Sequence, residues 1–342
     1  MKKINRMLSI LIVFLMVLSL CPLAEAEGEF EDWTKNADKV YSISKTWEIQ
    51  FNMEINGDTA NDTNVYVLDS DGARVPVIVE HWDNIVYVNA PQDNYKAGDY
   101  TLYITRGIKS TSETGGKTLT KGVSMKFTIV PFAVDYLKDD NEAEIIKYNG
   151  SGGPVEIPRE IDGRTVVAIV NSTFKGINLT SVKIPDSVRT IERNAFEGST
   201  LESVDIPNSV TSIGESAFIN CRLTELTIPD SVTEIGNSAF KNNQLSSLTL
   251  SKNLTSIGAD AFAQNKLKEV EIPNLITRIE SGTFYDNELE SVTIPDSVKF
   301  IDYFAFPNNK LTSVKLGKDC VYDPGAFDYE VIINGGTQVV EP

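Results

Sequence analysis

Residues 228–245 read IPDSVTEIGNSAFKNNQL, and the same phrase returns, altered in its polar letters only, as IPNSVTSIGESAF at 206–218. Outward from this stretch, phenylalanine recurs at 174, 196, 218, 240, 262, 284 and 306, always 22 residues apart. Leucine keeps the same register at 179, 201, 223, 245, 267, 289 and 311. Further columns hold Val182, Val204, Leu226, Leu248, Val270, Val292 and Val314, then Ile184, Ile206, Ile228, Leu250, Ile272, Ile294 and Leu316. A fixed period in this range signals a solenoid, in which each unit buries its apolar face against its neighbours. Within a unit, L-x-x-V-x-I alternates as a short strand does, with Val and Ile inward. Pro185, Pro207, Pro229, Pro273 and Pro295 follow that strand and stop it, because proline has no N–H for a sheet ladder. A second extended stretch carries V-x-x-I, and an A-F turn drives phenylalanine into the coil. The column Asn243, Asn265, Asn287 and Asn309 precedes the next leucine, where stacked amides are placed to satisfy backbone groups at the turn.

These phrases resemble the leucine-rich repeats of the BspA-like bacterial surface proteins, over 173–330. Residues 132–172 match the unit that commonly opens such arrays and are expected to cap the solenoid, whose end would otherwise expose its core. From Gly317 the pattern fades, and 331–342 is expected to be a tail. The resemblance implies an extracellular or cell-surface protein that binds rather than catalyses.

Residues 38–131 have a different texture. Alternating apolar runs such as Trp47–Phe51, Val65–Leu68, Ile85–Val88 and Tyr100–Thr105 are separated by the turn pairs Asn56-Gly57, Asp71-Gly72 and Gly115-Gly116. Short strands at this spacing predict an immunoglobulin-like β-sandwich without the disulfide. TWEIQFNMEIN (46–56) and VSMKFTIVP (123–131) resemble the bacterial Ig-like domains of surface-layer proteins. The fold class expected for the chain is therefore mainly β: a leucine-rich-repeat solenoid preceded by an Ig-like sandwich.

The chain opens with Lys2, Lys3 and Arg6, an apolar run from Leu8 to Leu20, and Ala24-Glu25-Ala26. These are the three parts of a secretory signal peptide, expected over 1–26 and followed by a linker over 27–37. The run is too short for a membrane span of about 20 residues. Cys21, preceded by Leu20, does not sit in the small-residue context of a lipidated cysteine. Loss of the signal takes the formal charge from −17 to about −19, which argues against nucleic acid or an anionic membrane as a partner. Cys221 and Cys320 remain. They lie more than four coils apart in the repeat, about 20 Å at ~4.8 Å per strand spacing, beyond the roughly 7 Å limit for a disulfide. Two free thiols are expected.

Signs of catalysis are weak. His81 is the sole histidine, so a Ser-His-Asp or Cys-His arrangement and most zinc sites would depend on it. It stands beside Trp82 at a strand end, where packing explains it. Asp69-Ser70-Asp71-Gly72 opens like a calcium loop, but Ala73 and Arg74 occupy places where a ligand and a glycine are required, so a hairpin turn is expected. Asp186, Asp230 and Asp296 follow strand-ending prolines and serve the turn. No cofactor or metal is expected. The residues between inward columns must point outward: Glu225, Ser247, Glu269 and Ser291 in one row, Thr227, Thr249, Glu271 and Thr293 in the next. Stacked on a broad sheet, with an acidic middle, lysines only at the ends and no aromatic anchor in view, they form the expected binding face. The expected partner is an extracellular protein or cell-wall component, cationic in its contact region, met by a monomer. A structural spacer of a surface layer or wall, and a polysaccharide-binding accessory module, are the alternatives left open.

Overall fold

The computed structural model describes residues 30–32, 40–137 and 141–339. The signal segment 1–26 and Cys21 lie outside the described residues. The chain divides into two compact units, 1–141 with 160–164, and 142–159 with 165–342.

In the N-terminal unit, one sheet runs in the order Phe30–Asp32, Gly122–Ile129, Gly98–Ile104, Val65–Asp69, Arg74–Val75, and Val40–Tyr41 also pairs with Gly122–Ile129. A second sheet is antiparallel, in the order Trp47–Gln50, Ile85–Asn89, Ile78–Trp82. Alternation decides which side chains meet between them: Val65, Val67, Val86 and Val88 are fully buried, with Ile49, Leu102 and Ile104, in one shared core. Trp47 lies 4.8 Å from Phe127, and Tyr41 meets Trp47 edge-on at 4.7 Å. The linker expectation needs correction, because Phe30–Asp32 pairs in parallel with Gly122–Ser124. The Asp69 segment is a hairpin turn. The amides of Asp71 and Ala73 donate to Asp69 Oδ1 (3.1 and 2.8 Å), and Gly72 N–H donates to Asp69 O.

The second unit is a stack of coils with two parallel rows of short strands. One row starts with Glu142–Tyr148 beside Thr165–Ile169 and continues through Thr190–Ile191, Ser212–Ile213, Glu234–Ile235 and Ser256–Ile257. It resumes as Arg278–Ile279, Phe300–Ile301, Val321–Tyr322 and Thr337–Gln338. The other row is the L-x-x-V-x-I stretch. Here the broad continuous sheet expected from the sequence is corrected to separate two-stranded patches: Gly153–Glu156 with Leu179–Lys183, Glu225–Thr227 with Ser247–Thr249, Glu269–Glu271 with Ser291–Thr293, and Ser313–Lys315 with Ile332–Asn334.

Between the rows lies the core. The seven phenylalanines from Phe174 to Phe306 are at most 1% exposed. Their rings stack face to face, 4.9 to 5.8 Å apart and within 14° of parallel. Tyr148 extends the stack at one end, 5.1 Å from Phe174, and Phe327 at the other, 5.0 Å from Phe306. The two aliphatic columns are buried except at Leu248, Leu250, Val292 and Ile294, which are half-buried. The expected tail is corrected as well. Ile332–Asn334 and Thr337–Gln338 pair with the coil before them, so 332–338 is a further turn of the stack.

The asparagine column closes the turns. Asn265 Nδ2 donates to the carbonyls of Phe240 (3.0 Å) and Phe262 (3.1 Å), while its Oδ1 accepts from Leu245 N–H (3.0 Å). Asn243 and Asn287 repeat this set. Cys221 occupies the same place one coil earlier, its thiol directed at Phe196 O (3.2 Å) and Ser199 Oγ (3.2 Å). Both Cys221 and Cys320 are free and buried.

Candidate functional site

All eight residues of the expected binding face, Glu225, Thr227, Ser247, Thr249, Glu269, Glu271, Ser291 and Thr293, are exposed. Each flanks a side chain that anchors the strand inward, as Leu226 (4% exposed) does between Glu225 and Thr227. Register brings Glu225 beside Ser247 and Thr227 beside Thr249, and likewise Glu269 beside Ser291 and Glu271 beside Thr293. The result is two hydroxyl-and-carboxylate patches on rigid backbone, able to accept and donate hydrogen bonds.

The electrostatics are more mixed than the two rows alone imply. One row further out stand Arg222, Gln244, Lys266, Glu288 and Lys310, of which Lys310 pairs with Glu288 at 2.7 Å and Lys266 reaches Gln244 Oε1 at 3.3 Å. The lysine holds the Glu288 carboxyl below its ordinary range. Lys268 stands directly before Glu269 and is exposed. The acidic centre therefore has a cationic border.

On the other strand row, a shallow groove of about 540 Å³ is lined by Glu192, Arg193, Glu215, Glu234, Asn237 and Ser256 among others. Its floor is the column Gly214, Gly236, Gly258. A Cβ on Gly236 would come within 2.5 Å of Glu215 N, and one on Gly258 within 2.5 Å of Asn237 N. Glycine stands there because neighbouring coils come that close. Arg193 already pairs with Glu215 at 3.1 Å, so the groove satisfies much of its own polarity.

His81 lies exposed on Ile78–Trp82, its imidazole against Gly57, where a Cβ would fall 2.2 Å from Nε2. Asp186 pairs with Arg159, 27 residues earlier in the chain. Among the described residues no group of three or more His, Cys, Asp or Glu is placed to hold a metal, and no helix is long and apolar enough to cross a membrane.

The exposed aromatic side chains stand at other positions than the two rows of the expected face: Trp82 in the N-terminal unit, and Tyr303, Phe304 and Tyr329 on the last coils. The signal for Phe304 was present in the sequence. It stands where IGNSAF and IGESAF have the serine before Ala-Phe.

Residues 167–290 and 255–330 match the family described as BspA type Leucine rich repeat region, in six copies. Over residues 167–330 the coils are similar to leucine-rich repeats of the BspA type. No curated protein matches the chain. Among solved structures, a leucine-rich repeat protein from Bacteroides ovatus is 24% identical, with 61% of this chain and 67% of that one covered and a TM-score of 0.46. A leucine-rich repeat protein of T. pallidum is 26% identical over 47% of this chain and 80% of its own, with a TM-score of 0.40. A leucine rich cell surface protein from Faecalibacterium prausnitzii is 24% identical over 60% and 75%, also at 0.40.

Proposed function

We propose that this protein is a secreted or cell-surface binding protein that presents its leucine-rich-repeat face to a protein partner, without catalysis of its own. The observation that carries this reading is the exposed pair of strand patches. Eight side chains of hydrogen-bonding type stand outward at fixed spacing, each beside an inward neighbour that is buried at Leu226 and Val270 and half-buried at Leu248 and Val292. A surface fixed in advance loses little side-chain and backbone freedom on binding. Glu225, Glu269 and Glu271 give the patches an acidic centre, so the reading favours a partner with a basic contact segment, attracted faster at low salt. The N-terminal two-sheet unit, read as an Ig-like module, serves as a spacer or docking element, and the leader-like first 26 residues direct export.

The test is capture from extracellular and cell-wall fractions by the immobilised wild-type chain, beside a variant carrying Glu225→Gln, Glu269→Gln and Glu271→Gln. The expected result is at least one protein that wild type retains, that rising salt releases, and that the triple variant fails to hold. Identical retention by both chains would remove the strand face as the site.

A further inference from the structure

The turn that carries each core phenylalanine contains a backbone position with positive φ. In successive coils it is occupied by Asn194, Ser216, Ser238, Asp260 and Gly282, with φ between 55° and 67°. These are small or locally hydrogen-bonding residues, the types that tolerate the left-handed region. In the next coil the occupant is Phe304, at φ 59°. A bulky aromatic residue in this region is an outlier, and its side chain is not drawn into the core in exchange, being 46% exposed. Its neighbour Tyr303 is 49% exposed, with the two ring centroids 4.1 Å apart. Tyr285, from the preceding coil, meets Phe304 edge-on at 6.1 Å. The Tyr303 ring is itself seated, because it lies over Gly325, where a Cβ would come within 2.1 Å of Cε2. Strain held in place around an exposed side chain points to use of that side chain.

The surroundings select the ligand. Asp286 follows Tyr285 and is exposed. Asp328 accepts from the amides of Asn308 and Asn309 (3.2 and 3.3 Å), and Tyr329 and Glu330 follow it, exposed. The nearby amide, Asn308, spends its Nδ2 on Tyr285 Oη at 2.9 Å. Arg278 is committed to Glu280 and Asp302 (3.1 and 2.6 Å) and covers the Phe300 ring at 4.4 Å. Aromatic faces carry negative potential, and the rim adds the carboxylates of Asp286, Asp328 and Glu330 beside the tyrosine hydroxyls. A neutral sugar needs donors and acceptors in turn around its ring. A cation needs only acceptors and π faces.

We propose that Tyr285, Tyr303 and Phe304 form a docking site for a basic side chain, arginine or lysine, of a protein partner, with Asp286 and Asp328 supplying the countercharge. This rests on the reading of the chain as a protein-binding module, but not on the strand face, which is a different surface.

The test is NMR of the full secreted chain with labelled Phe and Tyr rings. It is titrated with acetyl-Gly-Arg-Gly-Arg-Gly-amide and with the same peptide carrying citrulline, which keeps the shape and loses the charge. The expected result is saturable shifts of the Tyr303 and Phe304 ring signals with the arginine peptide, weakened by salt and absent with citrulline. Phe304→Gly should abolish the response while leaving the melting temperature unchanged or higher, since glycine fills the equivalent place at 282. The triple glutamine variant of the strand face should respond as wild type does. Equal shifts with both peptides, shifts with a neutral hexasaccharide instead, or no shift with either would overturn the proposal. So would a marked drop in melting temperature for Phe304→Gly, which would make Phe304 a packing residue. Loss of the response in the triple variant alone would place the contact on the strand face and leave the broader reading standing.

Discussion

At Asn265 a single side chain closes four backbone bonds, three to carbonyls and one from an amide, all buried. Truncation to alanine leaves those groups without partners in a place water does not reach. At roughly 1–3 kcal/mol for each buried group left unmade, with partial relaxation, Asn265→Ala should cost about 2–4 kcal/mol in denaturant unfolding. Asn265→Cys should cost less, because Cys221 shows that a thiol is accommodated in that niche. A loss below about half a kcal/mol for the alanine variant would mean the ladder is ornamental to stability. Cys221 carries a second residue-scale consequence. Burial pushes its thiol up to about 11, against which the Ser199 contact pulls only in part. The folded state therefore holds the proton more tightly than the unfolded chain, whose thiol titrates near the ordinary 9. The contribution to stability is complete below pH 9 and is lost as pH rises through 11. At pH 8 the folded protein should leave an aromatic disulfide reagent unreacted at this site, and should react promptly in denaturant. Fast labelling under native conditions would contradict the burial.

Elements show what a sequence can and cannot disclose. The inward columns and the phenylalanine stack were legible because burial repeats: Phe218, Phe240 and Phe262 have the same surroundings, so one letter recurs. Phe262 sits between Phe240 at 5.5 Å and Phe284 at 5.8 Å, fully buried. Phe262→Ala should cost about 3–5 kcal/mol, as truncation of a buried phenylalanine typically does, read as a fall in the thermal midpoint of the repeat unit. An unchanged midpoint would refute the stack. What periodicity did not disclose was pairing. The columns say which side chains face in, and they are indifferent to whether neighbouring three-residue strands complete a ladder. The continuity of the Thr190–Ser256 row and the patchiness of the Glu225–Thr293 face therefore emerged only in three dimensions. The aromatic corner was missed for a related reason. Columns draw the eye to what repeats, and Phe304 is significant because its column elsewhere holds small or polar residues. Likewise Lys266 and Lys268 belong to rows next to the expected face, so its charge was read without its border.

On the scale of the whole molecule, the boundary between the units is the part least visible in the sequence. Texture changes near 131, where the strand-and-turn pattern ends, and the segment from 132 to 172 reads as one piece that opens the repeats. In the structure that piece is shared. Residues 142–159 and 165 onward belong with the coils, whereas 132–137 and 160–164 belong with the N-terminal unit. Ile43 N–H donates to Phe132 O, and Asp162 N–H to Val40 O. The Asp162 carboxylate is 3% exposed, and it accepts from Ser42 N–H at 3.2 Å and Tyr136 Oη at 2.5 Å. Lys45, 5% exposed over the rings of Tyr41 and Trp47, feels the same carboxylate, which offsets part of the burial that lowers its pKa. A fragment 27–131, cut where the texture changes, therefore lacks Phe132, Tyr136 and Asp162 and leaves Ser42 and Lys45 without them. Hydrogen bonds to a buried charge contribute about 1.5–3 kcal/mol each, a large share of the stability of a domain of this size. Fragment 27–164 should unfold cooperatively in urea, fragment 27–131 should be markedly less stable or unfolded, and Asp162→Ala in 27–164 should fall between them. Equal urea midpoints for the two fragments would show that residues 132–164 contribute nothing to the N-terminal unit, and would return the boundary to 131.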